Sequence, residues 1–172
     1  PVIEQRLQLL REVLRERNLD AMIVSQPENR RYLSGFTGSA GVLVVSQERA
    51  LLITDFRYFE QVKHQAPACE LVEITSSTRD ALAAQIAALG VQRVGFESHV
   101  ISVETFEQWK QVIDGVEWVA TSDLVEDLRQ VKDASEIETI TEAVRIADEA
   151  MAHIMEWIRP GMTEREIAWE LE

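Results

Sequence analysis

The chain has 172 residues, of which 46% are hydrophobic and 27% are charged, and its formal net charge is −13. This composition is typical of a globular protein and excludes a disordered chain. The acidic balance argues against nucleic acid and anionic membranes as partners, since both need a positive surface. No stretch reaches the ~18–20 apolar residues of a membrane span, and Cys69 has no second cysteine to pair with. We therefore expect a reducing, cytoplasmic compartment.

The first part of the chain combines helical and strand patterns. Residues 3–18 place apolar side chains at helical spacing, and residues 21–25 form a short apolar strand. Pro27 forces an extended or turn conformation on the residue before it. Residues 32–35 are then expected to form a brief strand.

The next stretch predicts a strand hairpin. Gly35, Gly38 and Gly41 precede two apolar runs, residues 42–45 and 51–53, which a short polar break separates. Two such segments pair antiparallel. Neither run alternates with polar residues, so both of its faces are covered and the hairpin is expected inside a sheet.

Helices and strands continue to alternate after the hairpin. The expected helices and strands cover residues 56–64, 71–74, 80–89, 94–96, 102–113 and 117–120. This order predicts an α/β domain over residues 1–121, in which a mixed β-sheet lies between two helical layers.

From residue 122 the pattern is helical to the end. A long helix carries an apolar stripe made of Ile137, Ile140, Val144, Ala147, Met151, Ile154 and Ile158. The stripe suits either a coiled coil or a helix packed on a sheet. We interpret residues 122–172 as a linker helix and the first helices of a truncated second domain, whose remaining part is expected downstream.

The sequence offers no candidate residues for a nucleotide site, a metal site or a catalytic nucleophile. A nucleotide loop needs a helix after its glycines, whereas a strand follows residues 35–41, so these glycines predict a tight reversal. His64, His99 and His153 fall on three different elements, which predicts no metal site within these residues. No serine or cysteine has the context of an activated nucleophile.

The run Asp55-Phe56-Arg57-Tyr58 is the exception, because it stands between a buried strand and a helix, where ligands tend to bind. Asp55 can simply cap the helix, and Arg57 can simply be a surface or ion-paired arginine. Alternatively, Arg57 and Tyr58 present a guanidinium and a phenol to a carboxylate, which the planar fork of arginine suits. The sequence leaves both interpretations open.

These residues resemble a known family. Residues 29–39 (NRRYLSGFTGS) and 54–61 (TDFRYFEQ) look like the N-terminal domain of aminopeptidase P, prolidase and creatinase. Residues 128–137 are similar to the junction at which the catalytic "pita-bread" domain of these enzymes begins. Residues 159–167 resemble the turn and second helix of that domain. The resemblance spans essentially the whole chain.

The resemblance implies a two-domain Xaa-Pro metallopeptidase, a hydrolase that cleaves the bond between an N-terminal residue and proline. In this family two divalent cations (Mn, Co or Zn) share a bridging water that attacks the scissile carbonyl. Two Asp, one His and two Glu of the pita-bread sheet hold the cations. None of these ligands can be assigned to residues 1–172, so the resemblance implies no catalytic residue, metal ligand or cofactor in this chain.

In such enzymes the N-terminal domain serves oligomer assembly and limits access to the active site, often by reaching towards a neighbouring subunit. The resemblance thus implies a homo-oligomer, with a dimer expected, and a proline-containing peptide as the substrate of the full-length protein. The candidate substrate-access or partner-site residues are Tyr32, Gly38, Asp55, Arg57 and Tyr58. The alternatives are a non-catalytic interaction or assembly module of the same fold and the N-terminal domain of a creatinase-like amidinohydrolase.

Overall fold

The structure is a computed structural model that describes residues 2–172 and divides into two units between Gln130 and Val131. The strands are β1 (Ala21–Val24), β2 (Val42–Ser46), β3 (Ala50–Thr54), β4 (Glu70–Glu73), β5 (Arg93–Glu97) and β6 (Glu117–Thr121). The helices are α1 (Val2–Glu16), α2 (Pro27–Ser34), α3 (Phe59–Gln65), α4 (Thr78–Leu89), α5 (Val103–Val112), α6 (Leu124–Gln130), α7 (Ala134–Trp157) and α8 (Glu164–Leu171). A 3-10 turn, Phe56–Tyr58, precedes α3.

The first unit is built on a mixed sheet with the strand order β4-β3-β2-β1-β5-β6. β2 pairs antiparallel with both β1 and β3, whereas the other neighbours are parallel. Val44 lies opposite Ile23 on one side and opposite Leu51 on the other. The predicted hairpin is therefore confirmed, and it lies inside the sheet.

Helices cover both faces of this sheet. One face packs against α1, α2, α3 and α6 in a core that includes Leu10, Leu33 and Leu52. The other face packs against α4 and α5 in a core that includes Ile86, Val44 and Trp109. The expected three-layer α/β architecture with a mixed sheet is confirmed.

The brief strand expected at residues 32–35 is wrong, because these residues complete and cap α2. Pro27 stands at the start of this helix, where its missing N–H costs nothing. Gly35 ends the helix in the left-handed conformation, with φ 81°, and its N–H donates to the carbonyl of Arg31. Burial of Tyr32 and Leu33 on a helical face outweighs the strand preference of tyrosine.

The two edge strands carry exposed glutamates. Glu70 and Glu73 bound β4, and Glu117 begins β6. Arg49 donates two hydrogen bonds to the Glu70 carboxylate, at 2.9 and 2.6 Å, and Arg93 Nη1 lies 2.5 Å from Glu117 Oε1. Each edge of the sheet thus presents charged side chains beside its unpaired backbone groups.

The helix α6 belongs by its contacts to the first unit, since Leu124 and Val125 are buried in the core that holds α1. The boundary at residues 121 and 122, drawn from the change to helical sequence, stays a proposal about domain organisation.

The second unit consists of the helices α7 and α8. Asp133 caps α7 by accepting from the N–H of Glu136, and Thr163 caps α8 in the same way with Glu166. Apart from Ala147 and the buried Ile154, the stripe consists of large exposed apolar side chains, the last of which, Ile158, directly follows α7. In residues 2–172 no helix combines the length and apolarity that crossing a bilayer requires.

Candidate functional site

Asp55, Arg57 and Tyr58 lie together at the carboxyl end of β3. The Asp55 carboxylate accepts a hydrogen bond from Arg57 N at 3.1 Å and so caps the 3-10 turn. It also accepts from Arg57 Nε and Nη2, each at 2.8 Å. These bonds hold the pKa of Asp55 below its ordinary value and raise the pKa of Arg57. Asp55 is thus an N-cap, and Arg57 is an ion-paired arginine.

Tyr58 joins this segment to residues 36–41, which we call the glycine loop. Its hydroxyl lies 2.6 Å from Ser39 Oγ, and its ring meets that of Phe36 edge-on with centroids 5.6 Å apart. The Arg57 guanidinium lies 5.2 Å from the Tyr58 ring centroid. We call residues 36–41 and 55–58 together the loop edge.

The loop is held from beneath by a buried arginine. Arg30 on α2 donates from Nη1 to Gly41 O at 2.5 Å and from Nη2 to Gly38 O at 2.7 Å. Thr54 Oγ1 donates to Ala40 O at 2.7 Å. A Cβ at Gly38 would lie 2.1 Å from the Phe36 ring, so the close approach of loop and ring requires glycine there.

The helix α3 holds the loop from the side. Gln65 Oε1 accepts from Thr37 N at 3.0 Å and from Thr37 Oγ1 at 3.1 Å. Gln61 Nε2 donates to Thr37 Oγ1 at 3.0 Å. A Cβ at Gly35 would lie 2.7 Å from Gln65 O, so the helix end and the start of the loop are in close contact.

The structure therefore brings four of the predicted site residues, Gly38, Asp55, Arg57 and Tyr58, to one edge. Tyr32 is a core residue instead: it is only 8% exposed, the Arg6 guanidinium lies 4.2 Å from its ring centroid, and its hydroxyl donates to Leu128 O at 3.4 Å.

Phe56 is a loop-edge residue that the sequence analysis did not single out. Its side chain is 79% exposed although it sits between two well-held residues, Asp55 and Arg57. A large aromatic side chain exposed on an ordered segment is a common feature of contact surfaces. The position of this apolar residue between the charged Asp55 and Arg57 was the signal in the sequence that could have identified it.

A buried carboxylate network at the carboxyl ends of β1 and β5 was also missed. Glu97 is 2% exposed and accepts hydrogen bonds from Ser25 N, Gln26 N and Asn29 Nδ2 at 2.6, 2.8 and 2.7 Å. Asn29 Nδ2 also donates to Glu126 Oε1 at 2.7 Å. This network fixes the first turn of α2, and its members are too far apart in sequence to be paired by a local pattern.

Burial opposes ionisation of Glu126, but hydrogen bonds from Asn29 and His99 outweigh it and hold the pKa of Glu126 below its ordinary value. Arg129 Nη1 donates to Asn29 Oδ1 at 2.9 Å. The result is a satisfied polar network that ties α6 to α2.

The structure brings together no set of metal ligands within residues 2–172, where no group of three or more His, Cys, Asp and Glu side chains could hold an ion. These residues do not fit a two-cation centre, and no step through metal ions is assigned to them. Burial raises the pKa of the Cys69 thiol to about 12, so this thiol is not an activated nucleophile.

Comparison with known proteins shows the family. Residues 6–131 match the creatinase/prolidase N-terminal domain, and residues 138–172 match metallopeptidase family M24. The chain is 38% identical to the uncharacterized peptidase YqhT of Bacillus subtilis, over 97% of this chain and 47% of that protein. It is 28% identical to the Xaa-Pro dipeptidase of Pyrococcus furiosus, over 99% of this chain and 47% of that protein.

Solved structures agree. An Xaa-Pro dipeptidase from Bacillus anthracis superposes with a TM-score of 0.93 at 40% identity, over 99% of this chain and 48% of that one. The N-terminal domain of the cytoplasmic peptidase PepQ from Mycobacterium tuberculosis superposes with a TM-score of 0.67 at 40% identity, over 73% of this chain and 98% of that one. The chain thus spans about half the length of the curated relatives that it matches. It belongs to the creatinase/prolidase N-terminal domain family, and its last part is the start of an M24 peptidase domain.

Proposed function

We propose that this chain is the non-catalytic N-terminal part of an Xaa-Pro dipeptidase or aminopeptidase, in which it contributes to oligomer assembly and substrate access. The order of the two family matches supports the proposal, because the N-terminal domain is followed directly by the start of a peptidase domain. The Xaa-Pro dipeptidases among its relatives support the substrate class.

The loop edge supports the substrate-access role. It is braced by Arg30, Thr54 and Gln65 yet exposes Phe56. A rigid edge with an exposed aromatic ring can meet a neighbouring subunit without a large loss of conformational entropy on binding. We accordingly propose a cytoplasmic homodimer in which the loop edge of one subunit contributes to the active site of the other.

The catalytic step belongs to the rest of the full-length enzyme. Two divalent cations (Mn, Co or Zn) held there would supply a metal-bound water as the nucleophile for a proline-containing peptide. The 172-residue chain is expected to hydrolyse no Xaa-Pro dipeptide with added Mn²⁺ or Co²⁺, whereas the full-length protein does. Metal-dependent turnover by the short chain would overturn this assignment, and an inactive full-length protein would favour an assembly module.

A mixed-dimer experiment tests the role of the loop edge. Full-length Arg57→Ala chains are mixed with full-length chains that have intact loop edges but lack one metal ligand. If the loop edge serves the neighbouring site, the mixture recovers activity that neither variant has alone. Arg31→Ala, an exposed arginine on α2, is the control and should keep full activity without mixing. An Arg57→Ala enzyme with unchanged kcat/KM would contradict the proposal.

A further inference from the structure

Arg30 is a buried cation whose guanidinium donates to two backbone carbonyls. Arg30 is only 2% exposed, and its Nε has no hydrogen-bond partner among the described residues. Burial lowers the pKa of Arg30, against the opposing effects of Glu28, Tyr58 and Glu97. An arginine stays charged even so, and burying it costs free energy that well-made hydrogen bonds must offset.

What Arg30 holds is the geometry of the glycine loop. Its two terminal nitrogens donate in a fork to Gly38 O at 2.7 Å and to Gly41 O at 2.5 Å. The planar guanidinium fixes the distance and the angle between its donors, so these two bonds fix the two carbonyls relative to each other. The Phe36 ring lies beside the same group, with its centroid 5.6 Å from the guanidinium carbon.

These contacts transmit the position of Arg30 to the exposed part of the loop edge. Ser39 stands between the two clamped carbonyls, and its Oγ lies 2.6 Å from the Tyr58 hydroxyl. Phe36 meets Tyr58 edge-on. A loop fixed at positions 38 and 41 therefore fixes Ser39, and through Ser39 the Tyr58 hydroxyl.

We propose that Arg30 is a positioning residue for the loop edge: it orders residues 38–41 from beneath and thereby orients the Ser39–Tyr58 pair that a partner subunit meets. Arg30 itself touches neither partner nor substrate. The ordering of the loop stands by itself, whereas the effect on activity rests on the proposed function.

Loop order is measured first, in the 172-residue chain, by backbone amide relaxation. In the wild-type chain the order parameters of residues 38–41 should be about 0.85, and in Arg30→Met they should fall below about 0.6. Arg30→Lys keeps the charge but loses the fork, so it should give intermediate values and serves as the test if Arg30→Met does not fold. Arg31→Met, the exposed neighbour, should leave the loop unchanged. Unchanged order parameters in the Arg30 variants would overturn the proposal.

Coupling to Tyr58 is measured next, in the full-length enzyme, with a double-mutant cycle of Arg30→Met and Tyr58→Phe. Each single change should lower kcat/KM for an Xaa-Pro dipeptide roughly tenfold, within the range for residues that act through one another. The double variant should be no worse than Tyr58→Phe, since Arg30 acts through Tyr58. Multiplying losses would overturn the positioning role. If the Arg30 variants have a disordered loop but unchanged activity, Arg30 does order residues 38–41, and the substrate-access role of the loop edge is refuted.

Discussion

Asp55 and Arg57 form a two-pronged ion pair across only two residues of sequence, with Nε–Oδ1 and Nη2–Oδ2 distances of 2.8 Å each. An outside carboxylate that binds Arg57 through Nε and Nη2 must therefore compete with one already in place. The sequence suggested a capping Asp55 with an ion-paired Arg57 or, alternatively, a carboxylate-binding Arg57. The cap uses the backbone N–H of Arg57 and is compatible with either, whereas carboxylate binding through Nε and Nη2 would require the ion pair to open.

This pair makes a prediction about pH. The Arg57 guanidinium lowers the pKa of Asp55 from its ordinary value of about 3.9. A lowered pKa in the folded state means that the stabilisation is present above the ordinary value and lost as pH falls through the lowered one. Arg57→Gln should raise the pKa of Asp55 towards the ordinary value in a carboxyl-carbon NMR titration. Arg31→Gln should leave it unchanged, and an unshifted Asp55 in Arg57→Gln would contradict the pairing.

Gly35 offers a matched test of the contact between the loop and α3. Gly35 and Gly115 have similar positive φ values, 81° and 73°, so alanine at either position should cost about 1–2 kcal/mol of backbone strain. A Cβ at Gly115 meets nothing within 4 Å, whereas one at Gly35 lies 2.7 Å from Gln65 O. Gly35→Ala should therefore lose about 1–3 kcal/mol more than Gly115→Ala in urea unfolding. Equal losses would show that this contact is not tight.

Glu97 should be important for stability through its acceptor oxygens. Glu97→Gln replaces one acceptor by a donor next to the N–H groups of Ser25 and Gln26 and should lower the free energy of unfolding by about 1–3 kcal/mol. Glu104→Gln makes the same chemical change at an exposed position on α5 and should stay within about 0.5 kcal/mol. Chemical denaturation of both variants measures the difference, and similar values for the two would contradict the role of the buried network.

The apolar stripe of α7 predicts self-association of the 172-residue chain. Ile140 and Val144 are exposed in the centre of the stripe, and contiguous apolar surface of this kind favours association in water. Light scattering should show oligomers that the double change Ile140→Glu and Val144→Glu dissociates. Thr139→Glu adds a charge off the stripe and should have no such effect. A strictly monomeric wild-type chain with an ordered α7 would count against this expectation.

The sheet could be predicted from the sequence because its signals are local. Two unbroken apolar runs around a polar break fix the β2–β3 hairpin and its interior position. The conformation of residues 32–35 was not predictable in the same way, since the helix that begins at Pro27 and the burial of Leu33 outweigh the strand preference of Tyr32.

The candidate site was predictable in its residues but not in its bonds. Asp55, Arg57 and Tyr58 stand in one short run, so their proximity follows from the sequence. Whether Arg57 faces a neighbour or an outside ligand depends on side-chain geometry alone. The two hydrogen bonds from Arg30 to loop carbonyls could not be predicted from the sequence either, because every residue has the same backbone carbonyl group.

The charged edges of the sheet affect how two copies of this protein can come together. If two β4 strands paired antiparallel over their full length, Glu70 of one copy would lie opposite Glu73 of the other. Like charges opposed across a strand pair repel, although Arg49 already neutralises part of the charge of Glu70. The β6 edge carries a single glutamate, Glu117, which is paired with Arg93 and would lie opposite Thr121 in such a pairing. The two glutamates of β4 thereby discourage growth into a continuous intermolecular sheet at the β4 edge.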